Sequence, residues 1–241
     1  MKLRQFIALV AGCTAALQLA TAGNLTGKVT LKGTPPPEKD ISADMKTDAN
    51  CGKMHTEPVK TRFYVVGPGG ELADTVVMLK SVPGAKSTGA SAAPQLVDQK
   101  GCEYLPYVAA VQTGQKITVK NSDSTMHNVH TQPQVAGNEE LNKAQMAGSG
   151  DLGFEFTKVE NFLKFKCDVH PWMFAYITVV DHPYFAVTGK DGTFTIKDVP
   201  PGKYTLVVMH RKAALTGVEK EVEVTADGAK QDFELSVPAP K

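Results

Sequence analysis

The sequence predicts an all-β protein with two series of short strands, the second of which begins at Tyr184. After the first 22 residues, short stretches of alternating apolar and polar side chains are separated by turns rich in glycine, proline and aspartate. No long window shows the 3.6-residue period of an amphipathic helix. The 219 residues that follow position 22 suffice for one large or two modest domains.

The N-terminal 22 residues have the pattern of a secretory signal peptide. Lys2 and Arg4 precede an almost unbroken apolar run from Phe6 to Ala20, and positions 20–22 form an A-x-A cleavage site. We therefore expect cleavage after Ala22 and a periplasmic or extracellular protein. A lipoprotein anchor at Cys13 is the less favoured alternative, because it leaves an apolar core of only six residues. No later run approaches the ~20 apolar residues of a membrane span.

Charge and cysteine content narrow the function classes. Without the first 22 residues the chain has 24 basic and 25 acidic residues, which gives a net charge of −1. This balance does not indicate binding to nucleic acid or to a membrane surface. Cys51 and Cys102 are predicted to form a disulfide, since export exposes them to an oxidising compartment. Two free thiols remain the alternative.

The sequence also suggests several local elements. A strand is expected over Leu25–Lys32, followed by a polar, irregular segment at 38–58. Phe63–Val66 and Thr75–Lys80 flank a glycine-rich turn and are expected to pair as a hairpin. Residues 83–94 have a linker composition, and residues 132–153 are expected to be a long polar loop, mobile or partly helical around 141–146.

The segment from Leu163 to Val180 carries the metal-binding pattern. On the incoming strand, Cys167 shares one face with Leu163 and Phe165, so its thiol is expected to point into the interior. His170 and Met173 follow three and six residues later, and His127 ends an upstream strand. A thiolate, two imidazoles and a thioether in an apolar shell are the donors of a type 1 copper site.

Two alternatives to a copper site remain. Cys167 and Met173 are residue types that more often fill a core than bind a metal. Zinc also takes cysteine and histidine ligands, but a thioether ligand favours copper.

Residues 97–180 resemble a cupredoxin, and most closely the amicyanin group. The shared motifs are Cys-x-x-His-Pro-x-Met at 167–173 and Met-His-Asn-Val-His at 126–130; Trp172 replaces a phenylalanine, and the proline before His127 is missing. The resemblance implies a Greek-key β-sandwich with one copper ion. It implies His127, Cys167 and His170 as the strong ligands, Met173 as the axial ligand, Asn128 as a brace of the ligand loop, and Pro171 and Trp172 as an electron-transfer docking surface.

The other histidines carry weaker signals. His130 lies three residues after His127 on an extended segment and is expected to face the opposite way, at the surface. His182 and His210 lie in the last β series, where a second metal site is left open. For Trp172, the alternative to a docking surface is burial beneath the last β series.

The flanking segments resemble the carboxypeptidase regulatory-like family, which has a transthyretin-type sandwich. The specific part is D-G-x-F-x-I-x-x-V-P-P-G-x-Y-x-L at 191–206, with weaker matches at 25–32 and 74–80. The resemblance implies that the cupredoxin is inserted into a split sandwich. We expect an N-terminal β segment at 23–82, a cupredoxin at 95–181 and the remaining β domain at 184–237. The whole arrangement is similar to exported bacterial proteins of the "methylamine utilization" type, through Pro-Tyr-Phe-Ala at 183–186.

These patterns predict an exported mononuclear type 1 copper protein that carries single electrons between transient redox protein partners and is not an enzyme. Six histidines are too few for the copper cluster of a multicopper oxidase. One rival is a cell-envelope binding or scaffold module with a carbohydrate-binding-like fold, a polysaccharide or envelope partner and a vestigial or structural copper site. Copper storage or delivery is a third, disfavoured because a rigid four-ligand site releases metal poorly.

Overall fold

The computed structural model describes residues 21–239, and the chain there is almost entirely β-structure. The predicted signal peptide falls outside these residues, apart from its last two positions. In chain order the elements are β1 (Gly23–Lys32), α1 (Ser42–Met45), α2 (Ala49–Lys53), β2 (Thr75–Leu79), β3 (Gln95–Gln99), β4 (Tyr104–Leu105), β5 (Val108–Gln112), β6 (Ile117–Asn121), β7 (His127–Gln132), β8 (Asn142–Gln145), β9 (Leu152–Phe154), β10 (Glu160–Lys166), β11 (Phe174–Val180), β12 (Phe185–Val187), β13 (Thr193–Val199), β14 (Gly202–His210), β15 (Ala214–Val224), β16 (Ala229–Lys230) and β17 (Phe233–Ser236). A 3-10 turn spans Gly89–Ser91. In the described part of the chain, no helix has the length and apolar character needed to cross a membrane.

The first sandwich is formed by strands β3 to β11. One sheet has the order β5-β11-β10-β7-β8 and the other β4-β3-β6-β9. Period-two alternation places one face of each sheet toward a common core, as Leu163, Phe165 and Cys167 show on and just after β10. The predicted inward orientation of the Cys167 thiol is thus reproduced, with the side chain 2% exposed.

The second sandwich is assembled from both ends of the chain. Strand β1 pairs antiparallel with β13 and parallel with β17, and strand β2 lies between β12 and β14. Leu25 opposes Ile196, and Val77 opposes Val208, so residues far apart in sequence share one core. The pairing predicted for a split sandwich is present, and the first sandwich is inserted between β2 and β12.

The two sandwiches pack through strands that are buried on both faces. On β5, Ala109 and Val111 belong to the first core, while Val108 and Ala110 face the other way. On β14, Leu206 and Val208 belong to the second core, and the neighbouring Val207 and Met209 share a cluster with Val108 and Ala110. The residues between the sandwiches form one apolar cluster: Val76, Tyr107, Val108, Ala110, Phe162, Tyr176, Val207 and Met209.

Three local predictions were wrong. The polar segment at 38–58 is not irregular throughout, because it contains α1 and α2, and α2 is capped by Asp48, which accepts the backbone N–H groups of Asn50 and Cys51. Residues 63–66 do not pair with β2; Val66 forms a single bridge with Leu72, and β2 is a central strand. Residues 142–145 form the edge strand β8 rather than a loop or helix, paired with β7.

The predicted disulfide is present. Cys51 in α2 is bonded to Cys102, and both residues are fully buried at the edge of the first core. Among the described cysteines, Cys167 is the one outside the disulfide.

Candidate metal centre

Three predicted ligands come together at one end of the first sandwich. His127 begins β7, and Cys167 follows the last residue of β10, the neighbouring antiparallel strand. His170 lies in the loop that leads to β11. One donor atom from each of these residues lies within 4.8 Å of the other two, and all three side chains are buried.

The ligand loop is closed by its own backbone. The N–H of Cys167 donates to the carbonyl of Met173 at 3.0 Å, and the N–H of Met173 donates to the carbonyl of His170 at 2.8 Å. Met173 is 1% exposed and belongs to the same apolar cluster as Cys167. The short loop between paired strands therefore holds all three side chains against one core.

The two imidazoles face each other through one nitrogen and bind carboxylates through the other. Their Nδ1 atoms are 3.0 Å apart. Nε2 of His127 lies 2.8 Å from Oδ2 of Asp123, and Nε2 of His170 lies 3.3 Å from Oδ2 of Asp48. Because an ionised carboxylate only accepts, each Nε2 carries a proton, and Nδ1 is the nitrogen of each ring that faces the shared space.

The thiol completes this donor set. Sγ of Cys167 lies 3.7 Å from Nδ1 of His170. Burial alone would raise the pKa of the thiol, but hydrogen bonds from His127, His170 and the backbone of Asn128 outweigh it and lower the pKa to about 6. The sulfur is therefore available as a thiolate near neutral pH, the form that binds metals.

The buried groups around the thiol shift one another's pKa. Burial opposes charging of His127 and His170, but the carboxylates and the Cys167 sulfur outweigh it and raise the pKa of both imidazoles. Burial would likewise raise the pKa of Asp123, yet His127 and the backbone N–H groups of Cys102 and Gly101 hold it below its usual value. The thiol, the imidazoles and the carboxylates therefore each favour the charged form of their neighbours.

Asn128 binds the loop that follows Cys167. Its Oδ1 accepts the backbone N–H of Asp168 at 2.7 Å and lies 3.2 Å from the Cys167 sulfur. Its amide nitrogen donates to Asn142 and to the Asp168 carboxylate. The hydroxyl of Tyr104 donates to the Asn128 carbonyl at 2.6 Å, and burial raises the pKa of that phenol, so it stays a neutral donor.

Sequence reasoning missed Asp48, Asp123 and Tyr104. Asp123 stands four residues before His127, a spacing that could have suggested a partner. Asp48 is 122 residues from His170 in the chain and carries no local signal.

Pro171 and Trp172 flank His170 at the surface. Pro171 is exposed and Trp172 is half-buried. The indole N–H of Trp172 donates to the Cys102 carbonyl at 3.1 Å, and its ring centroid lies 5.1 Å from that of His170. Trp172 packs on the first core and not in the cluster between the sandwiches. With Phe63 and Phe174 it lines a surface cleft of about 460 Å³.

The remaining histidines do not join this centre. His130 faces away from it and lies between the carboxylates of Asp168 and Glu140. His182 contacts the carbonyl of Leu79, and His210 accepts backbone N–H groups of Lys212 and Ala213. Both are satisfied by nearby backbone, and neither belongs to a metal-binding group among the described residues.

The distances suit one ion bonded to all three donors. Bonds of about 2.0 Å to nitrogen and 2.3 Å to sulfur, usual for zinc-sized ions, can span separations of 3.0 and 3.7 Å. Two imidazoles and one thiolate, with a buried methionine in the same loop, make a donor set that favours copper. The residues therefore fit a copper ion.

Part of the second sandwich matches a known family. Residues 183–238 match the family described as BOS complex subunit NOMO1-like, second beta sandwich domain. No curated protein matches the chain.

Solved structures resemble part of the chain. An oxidised amicyanin variant is 23% identical, with a TM-score of 0.33, over 43% of this chain and 97% of its own. A Cu(I) amicyanin variant is 22% identical, with a TM-score of 0.32 and the same coverage. A copper-containing nitrite reductase from Thermus scotoductus SA-01 is 23% identical, with a TM-score of 0.33, over 42% of this chain; the match spans a quarter of the reductase.

Proposed function

We propose that this protein binds one copper ion as a type 1 centre and carries single electrons between redox proteins. The observation that supports it is the convergence of two imidazole Nδ1 atoms and a low-pKa thiolate in a buried space. Copper would supply the one-electron couple. His127, Cys167 and His170 would hold it strongly, and Met173 would be the weak fourth ligand.

In this proposal the surrounding protein holds the ligand side chains in fixed positions. An electron carrier works fastest when its ligands move little between oxidation states, and each ligand here is restrained from outside the centre. His127 and His170 are held by carboxylates, and Cys167 by the loop that Asn128 braces. The three ligands are at most 2% exposed, so bulk water is kept from the metal.

Burial also favours a carrier over an enzyme. A catalytic copper needs an open coordination position that a substrate can reach. Here the three donors are covered by protein, and the fourth predicted ligand, Met173, is buried as well.

The route for electrons is proposed to run by Pro171 and Trp172. Both border the apolar cleft beside His170, and the indole ring lies against the imidazole. A small apolar surface suits a redox partner that binds briefly and leaves. Export to the periplasm or beyond is part of the proposal, and the Cys51–Cys102 disulfide is in keeping with an oxidising compartment.

Copper binding tests the proposal. Adding Cu(II) to the purified protein is expected to give an intense visible thiolate-to-copper absorption band. Cys167→Ser should abolish the band, because the serine hydroxyl cannot replace the thiolate. Met173→Leu, a substitution of similar size in the same loop, should keep the band and shift the reduction potential. An uncoloured wild-type protein, or a coloured Cys167→Ser variant, would refute the proposal.

A second candidate is a binding or scaffold module of the cell envelope. It is favoured by the match of residues 183–238 to a β-sandwich family and by the separate core of the second sandwich. In that case the protein would bind an envelope component equally well with and without copper.

A further inference from the structure

Residues 39–61 cover the edge of His170 and are called the cap segment below. The two ends of the cap segment are tied together, since Ile41 N–H donates to the Val59 carbonyl and Thr61 N–H donates to the Lys39 carbonyl. Ile41, Met45 and Cys51 are buried in the first core.

Two contacts join the cap segment to the loop before β4. The disulfide joins Cys51 to Cys102, and Nε2 of His55 lies 2.7 Å from the carbonyl of Gly101. The segment is thus fixed over the centre, and His170 is only 1% exposed.

Asp48 is the residue of the cap segment that reaches the imidazole. Its Oδ1 accepts the N–H groups of Asn50 and Cys51 at 2.7 and 3.1 Å, as the N-cap of α2. This leaves Oδ2 facing Nε2 of His170 at 3.3 Å. One carboxylate oxygen therefore sets the position of the side chain, and the other is presented to the histidine.

We propose that Asp48 is a positioning residue of the metal centre that holds His170 through Nε2 and lowers the reduction potential of the bound copper. The inference rests on the proposed copper site. The cap segment puts a fixed carboxylate where solvent would otherwise bind the imidazole edge.

The negative charge of Asp48 determines the direction in which the reduction potential shifts. The oxidised ion carries one more positive charge than the reduced ion, so a nearby negative charge stabilises the oxidised form. Asp48 is 28% exposed in its side chain and lies beside a buried ring, so water screens the interaction only in part. A carboxylate on the far nitrogen also makes the imidazole a stronger donor.

The first test uses the metal-free full-length protein. Nitrogen-15 NMR of the imidazoles is expected to show an Nε2–H of His170 that exchanges slowly with water. Asp48→Asn keeps a good N-cap residue and the side-chain size but removes the acceptor charge, and it should speed that exchange at least tenfold. Asp44→Asn is the matched control: it removes the same charge from the same segment, but Asp44 pairs with Lys39. The control should exchange at the wild-type rate.

The second test measures the reduction potential of the copper-loaded proteins. Asp48→Asn should raise it by about 59 mV or more, which corresponds to a tenfold change in the one-electron equilibrium constant. Asp48→Glu restores the charge and should recover part of the shift, whereas Asp44→Asn should change the potential far less than Asp48→Asn. An unchanged exchange rate, an unchanged potential in Asp48→Asn or an equal shift in Asp44→Asn would overturn the inference. A protein that binds no copper would refute the proposed function, while the exchange rate would still decide whether Asp48 holds the ring.

Discussion

Removing the Cys51–Cys102 disulfide is expected to destabilise the first sandwich strongly. The bond joins residues 51 apart in sequence, and both partners are 0% exposed. In the chain-entropy account, opening a loop of this length lets the unfolded chain gain freedom worth about 4 kcal/mol at 25 °C. Replacing both cysteines by alanine should lower the free energy of unfolding by about that amount, because alanine adds no buried polar group.

Urea unfolding of the metal-free protein measures this loss. Trp172 is the one tryptophan of the chain, and its indole donates to the Cys102 carbonyl, so its fluorescence reports on the region that the disulfide holds. Wild-type protein treated with a reductant is the control and should unfold at nearly the same urea concentration as the double variant. A loss below about 1 kcal/mol would contradict the reasoning, since it would mean that the disulfide hardly restricts the unfolded chain.

Two further predictions concern the second sandwich. Burial lowers the pKa of His210 to about 4 in the folded protein. Well above pH 6.5 the imidazole is neutral in both the folded and the unfolded chain. As the pH falls from 6.5 toward 4, the unfolded chain binds a proton that the folded chain does not bind. The free energy of unfolding should therefore fall by about 2 kcal/mol between pH 7.5 and 5, measured by urea unfolding, and His210→Gln should flatten that slope. Leu25→Ala in β1 should cost about 2–5 kcal/mol in thermal or urea unfolding yet leave the visible copper band unchanged, because Leu25 is buried in the second core. Leu163→Ala, an equally buried leucine on β10, is the matched change and should also weaken copper binding.

Each of these predictions has a clear contrary result. A slope between pH 7.5 and 5 that is equal in wild type and His210→Gln would show that another group controls the acid sensitivity. Loss of the copper band in Leu25→Ala, under conditions where the protein is folded, would show that the metal centre depends on the second sandwich.

The sequence alone was enough to predict the features that depend on local order. Alternation with period two identified the β class and the inward orientation of Cys167, because neighbouring side chains of a strand must point to opposite faces. The pairing of Cys51 with Cys102 followed from counting the cysteines of a chain that is predicted to be exported. Gly192 belongs to the Asp-Gly pair that opens the motif at 191–206; its φ is +71°, and a Cβ there would lie 2.5 Å from the Val29 carbonyl, so glycine is required.

Strand partners required the tertiary structure. Strand β2 is buried on both faces, since the first sandwich covers one side and the second core covers the other. Its apolar run therefore does not indicate which strand lies beside it. The sequence placed it next to 63–66, its neighbour in the chain, whereas its partners are β12 and β14. Strand β8 was not predicted because it is a polar edge strand in which only one of four side chains is buried.

The candidate metal centre also combines features that the sequence predicts with features that only the tertiary structure shows. Four ligands could be proposed because Cys167, His170 and Met173 lie in one loop and His127 begins a strand with a recognisable pattern. The carboxylates that hold the imidazoles could not be predicted from the sequence. The hydrogen bond between Asp48 and His170, for example, joins residues that are 122 positions apart. Such a contact exists only after the cap segment has folded over the sandwich, because its formation depends on the path of the whole chain and not on the spacing of residues within one element.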